Sequence, residues 1–95
     1  MTEEQFQTSL LLVKESIGFR SSNRDSFLTA IIKSVEKQLT EEQGITLDLG
    51  NEYHLMFLVD FSAWRYKNRD SDGAIPRHLQ FRLHNLIIKG GASSV

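Results

Sequence analysis

Cysteine is missing from this 95-residue chain, which excludes a disulfide framework, a thiolate metal site and a thiol nucleophile, and leaves the redox compartment open. Long hydrophobic runs are missing too. The most apolar stretch, residues 55–66, is broken by Asp60, Ser62 and Arg65 and falls well short of the ~20 residues of a membrane span. The start, Met1, Thr2, Glu3, Glu4 and Gln5, has neither the basic residues nor the apolar stretch of a secretory signal, so neither export nor a membrane partner is expected. No charge sign dominates. Eleven Lys and Arg against twelve Asp and Glu argue against a surface built wholly to hold nucleic acid, while a local basic patch remains open. Glycine is sparse, and the only adjacent pair, Gly90 and Gly91, lies at the chain end without the Lys-Ser or Lys-Thr of a P-loop. His54, His78 and His84 never fall at the i, i+4 spacing that aims two imidazoles at one metal, and read as surface or cap residues. Glu3, Glu4, Glu41 and Glu42 sit at polar helix ends, where carboxylates are solvated. No set of acid, base and nucleophile emerges, so neither catalysis, metal nor cofactor is expected.

What is present is helical patterning at the size of one domain. A chain of this length encloses a single core and buries only about 60–65% of the surface its unfolded form exposes, so association with other chains would add to its stability. Thr2 and Gln5 have capping-box spacing, and Phe6, Leu10, Val13 and Ile17 then recur on one face, predicting a helix over residues 3–17 with Gly18 as a left-handed exit. After a polar connection, Ser22 or Asp25 can cap a second helix whose stripe is Phe27, Leu28, Ile31, Ile32, Val35 and Leu39, with Gly44 as terminator. Residues 45–49 alternate, with Ile45, Leu47 and Leu49 on one side. They read as a short strand or, preferably, an extended crossover that tucks three side chains onto the helices. Asn51 is the N-cap of a third helix reaching about residue 68; nine of the twelve residues from 55 to 66 are apolar or aromatic, so it should be the central element. Residues 69–73 are a turn-rich connection. Pro76 suits the first turn of a final helix that buries Leu79, Leu83, Leu86 and Ile87. The expected fold is mostly α, a compact bundle of about four helices over residues 1–89, with a flexible tail over residues 90–95.

Two features invite a functional reading. Asp60 lies within the most apolar helix, where an unpartnered carboxylate would cost several kcal/mol. Its candidate partners are Arg82 and Lys14, since Arg65 at i+5 points away, and a structural ion pair is favoured over catalysis. Charge reversal at Asp60 is expected to unfold the domain. Trp64, Arg65, Tyr66, Lys67, Asn68 and Arg69, with Arg77 and Arg82 beyond, mix planar aromatics with guanidinium groups. That mixture fits a protein interface or single-stranded nucleic acid held by stacking and phosphate contacts. It equally fits aromatics in the core beside a solvated basic helix end.

The string from Leu58 to Arg69, Leu58, Val59, Asp60, Phe61, Ser62, Ala63, Trp64, Arg65, Tyr66, Lys67, Asn68 and Arg69, followed by Pro76, His78, Leu79, Phe81, Arg82, Leu83, His84, Asn85, Leu86 and Ile87, resembles the small head-to-tail connector proteins of tailed bacteriophages. The order of elements agrees: a first helix with a Val-Lys pair, here Val13 and Lys14, then a helix and a glycine, a hydrophobic helix ending in an aromatic-Arg-Tyr motif, and a short last helix. The resemblance spans roughly residues 6–89 and rests on packing patterns. It implies an adaptor without enzymatic activity or cofactor that forms a ring, usually dodecameric, beneath the portal protein and offers a docking surface to the stopper or tail-completion protein. The free chain is then expected to be monomeric, assembling on the portal template. The implied location is the virion head-to-tail junction, and the bacterial host cytoplasm during assembly, with any DNA contact in the channel nonspecific. Trp64, Arg65, Tyr66 and Arg69 are the expected interface contacts, with Arg77 and Arg82 positioning the final helix. Longer family members engage the portal through C-terminal segments, whereas here only six residues follow Lys89.

Overall fold

The computed structural model describes residues 1–70 and 73–92 and shows four helices: α1 (Glu3–Ile17), α2 (Asp25–Lys37), α3 (Glu52–Lys67) and α4 (Arg77–Ala92). No strand occurs among the described residues. α1 begins where the capping box places it: Gln5 N donates to Thr2 Oγ1 and Thr2 N to Gln5 Oε1, each at 3.1 Å. It ends at Gly18 with φ 75°, which lets Phe19 N reach back to Lys14 O at 2.9 Å. Phe6, Ser9, Leu10 and Val13 are its buried face.

α2 starts differently from expectation. Arg24 holds the cap position with no side-chain cap bond, and neither Ser22 nor Asp25 fills that role. Asp25 is instead the first helical residue and is drawn to Lys14 Nζ of α1, 2.9 Å away. Leu28, Ile31, Ile32 and Val35 are buried as the stripe predicts, but Phe27 at its edge is 44% exposed. Past Lys37 the helix widens into a π-helical turn, Gln38–Glu42, in which Gln43 N bonds to Gln38 O at 3.0 Å. The Thr40 hydroxyl donates to Glu36 O at 2.9 Å, and back-bonding of this kind competes with the regular ladder. Leu39 stays fully buried through the turn, and Gly44, with φ 71°, ends it as Ile45 N returns to Leu39 O at 2.9 Å. The segment after Gly44 is the extended crossover: Ile45 and Leu49 are buried and Leu47 packs against the core.

Asn51 Oδ1 accepts Tyr53 N at 2.8 Å and opens α3, which buries Phe57, Leu58, Val59, Phe61, Ser62, Ala63 and Tyr66. α3 packs against α1, α2 and α4 and is the central element. Ser71 and Asp72, in the middle of the turn-rich connection, lie outside the described residues. Pro76 precedes α4 and its carbonyl accepts Leu79 N at 3.0 Å and Gln80 N at 2.9 Å, so the missing proline N–H leaves no gap in the ladder. α4 continues through Gly90 and Gly91 to Ala92, three residues into the expected tail, of which residues 93–95 lie outside the described residues. Of its expected buried face only Leu79 is sealed; Leu83, Leu86 and Ile87 are half-buried because α4 touches α3 alone among the helices.

Candidate interaction surfaces

α3 aims its side chains at three neighbours, and this divides the residues that the sequence groups together. Asp60 turns toward α4, where Arg82 Nη1 meets its Oδ2 at 2.6 Å and the guanidinium lies 5.4 Å from the Phe57 ring. Lys14, the other candidate, is taken by Asp25. The pair is not sealed in the core: the Arg82 and Asp60 side chains are 35% and 38% exposed. α4 covers α3 from one side only, so water still reaches both charges, and the desolvation cost foreseen for Asp60 is largely absent. Unfolding on charge reversal is accordingly no longer expected.

Arg65 turns the opposite way, onto α2. Its Nη1 donates to Ser34 Oγ at 3.3 Å, its Nη2 to Gln38 Oε1, and its guanidinium lies 5.6 Å from the Phe61 ring. These contacts tie α3 to the end of α2. Trp64 is half-buried with its ring edge-on to Phe61, 5.9 Å away at 80°, and acts as a lid on the core.

Tyr66 is only 8% exposed and sits at the end of the bundle formed by the α1–α2 connection and the C-terminus of α3. Phe27 contacts it at 6.0 Å and 63°. Arg69 stacks 4.2 Å from its ring while donating from Nη1 to its carbonyl at 2.6 Å. The Arg24 guanidinium lies 6.0 Å from the same ring and 5.9 Å from the Phe19 ring. Phe27 was legible only as part of the α2 stripe, and Arg24, with Phe19 beside it, was not singled out at all, because Arg24 and Phe27 meet Tyr66 only when α3 packs against α2.

Arg77 is exposed at the start of α4 and, with Gln80, Phe81, Leu83, His84 and Ile87, lines an open groove of about 410 Å³ along that helix. Phe81 is 62% exposed and Ile88 48%. Trp64, Arg65, Tyr66, Arg69, Arg77 and Arg82 therefore form no single patch: they are distributed over the α2 side, the bundle end and α4. His54 has a structural role, its Nδ1 accepting Asp48 N at 2.9 Å in the crossover. Among the described residues no three His, Asp or Glu side chains converge as a metal site would require, and no helix is long and apolar enough to cross a membrane. Comparison with models of protein families, with curated proteins and with solved structures finds no match to this chain.

Proposed function

We propose that this chain is a structural assembly subunit of the phage head-to-tail connector kind, forming a ring under a portal protein and giving the stopper or tail a docking surface. It is not an enzyme in this reading and takes no cofactor. The observation that carries it is α4, a helix held to α3 by Leu79, the Asp60–Arg82 pair and three half-buried residues, with Phe81 and Ile88 turned outward. A helix that leaves this much apolar surface uncovered on so small a domain is suited to an assembly contact. The likeness of residues 6–89 to the connector pattern gives that contact its setting. The test is to mix the chain with portal rings and measure the mass of free chain and mixture. A monomer that becomes a ring-bound oligomer supports the reading, and failure to bind any portal ring counts against it.

A second reading draws on Tyr66, where the guanidinium groups of Arg24 and Arg69 flank one ring and Phe27 is exposed beside it. Neither arginine has a carboxylate within ion-pair distance among the described residues. An exposed aromatic ring beside guanidinium groups that no carboxylate neutralises suits single-stranded nucleic acid. Phosphate binding would weaken steeply with salt, and absence of DNA affinity at low salt removes this reading.

A further inference from the structure

α4 holds Arg77, Arg82, Lys89 and two histidines, and not one Asp or Glu. The chain is polarised to match: residues 1–63 carry ten acidic and five basic side chains, whereas residues 64–95 carry two acidic and six basic. On α4, Arg77, Phe81, His84 and Ile88 recur at i, i+4, i+7 and i+11, which places them on one stripe, and all four are exposed. No other helix of the same chain covers that stripe.

α1 carries a stripe of the same spacing and opposite charge. Glu4, Thr8, Leu11 and Glu15 also recur at i, i+4, i+7 and i+11, all are exposed, and Leu11 is open to 56%. α1 and α4 do not touch within the chain, so the two stripes can meet only between copies. Laid antiparallel, they set Glu15 against Arg77, Leu11 against Phe81 and Thr8 against His84, leaving only Glu4 opposite the apolar Ile88. Laid parallel, they would set Glu4 against Arg77 but Thr8 against Phe81 and Leu11 against His84, so the two exposed apolar side chains would not meet.

We propose that the outer stripe of α4 in one copy docks antiparallel on the outer stripe of α1 in a second copy. The two faces differ, so the contact is head-to-tail and propagates, closing into a ring where the rotation between copies permits. The biological purpose of this contact rests on the connector reading; its geometry uses only residues of this chain.

The absence of cysteine makes the test clean, because each single-thiol variant has one reactive site. Leu11→Cys and Phe81→Cys are mixed at high protein concentration under mild oxidation, with exposed Thr46→Cys as the control partner for each. Docking raises the effective concentration of the two thiols, so the mixed disulfide should exceed the control dimers by about tenfold. Adding Glu15→Arg should lower the yield about threefold, and Arg77→Glu on the opposite copy should restore it. A mixed disulfide at the control level overturns the contact and leaves the α4 stripe to an acidic partner of another kind. Portal binding without trapping would overturn this contact alone, whereas trapping without portal binding would retain it and overturn the connector reading.

Discussion

Ser62 sits inside α3 with no exposure, and its hydroxyl has no hydrogen-bond partner. Ser9, equally buried, donates to Gln5 O at 2.9 Å and is satisfied. An orphaned hydroxyl has lost its hydration without replacement, so Ser62→Ala should raise stability by about 0.5–1 kcal/mol in urea titration, while Ser9→Ala should not. Gly18 and Gly44 give a second residue-scale prediction. Both have positive φ and neither has an atom within 4 Å of an added Cβ, so the cost of alanine there is backbone strain alone. Gly18→Ala and Gly44→Ala should each lower stability by about 1–2 kcal/mol, and the double variant by the sum, since they terminate different helices. Phe61, fully buried between Phe57 and Trp64, belongs to the larger class: Phe61→Ala should cost about 3–5 kcal/mol by the cavity it leaves.

Helices α1, α2 and α3 share one continuous core, whereas α4 seals only Leu79. Local opening free energies follow buried apolar contact, so α4 should exchange its amide hydrogens well before α3 does. The Asp60–Arg82 pair is half-exposed and worth at most about 1 kcal/mol, so Asp60→Lys should leave a folded three-helix core. The expected outcome is little change in urea midpoint with a marked loss of exchange protection confined to α4. Loss of the whole cooperative transition would show instead that α4 is integral to the core. The spacing of apolar residues made all four helices legible, and the capping residues Thr2, Gly18, Gly44 and Asn51 set their ends because these groups act within a few residues of themselves. The start of α2 was not legible: Asp25 could cap locally, but Lys14 on another helix drew it into an ion pair.

The described residues extend 44 × 31 × 19 Å with a radius of gyration of 13.2 Å, as expected of a compact helical bundle of this length. A basic α4 and an acidic α1 give each copy two unlike faces, so any association through them is concentration- and salt-dependent. Thermal midpoints should therefore rise with protein concentration at low ionic strength and lose that dependence at high salt, as calorimetry over a wide concentration range can read. A midpoint independent of concentration at low salt would mark a chain that does not associate on its own.

The sequence by itself determined the helical class, the order and most boundaries of the helices and the central place of α3, and it favoured an extended crossover over a short strand after Gly44, since periodicity, capping and turn chemistry are local. Only the tertiary structure decided where the functional side chains go. Trp64, Arg65, Tyr66 and Arg69 are neighbours in sequence yet leave α3 in different directions, so one motif became a lid, a tie to α2 and a stacked cluster completed by Phe19, Arg24 and Phe27. Asp60 was paired with Arg82 rather than Lys14 because α4 arrived at its side of α3, and it stayed half-exposed because no described helix besides α3 packs on α4. Exposure depends on which elements pack against a helix, and no residue spacing along a single helix contains that.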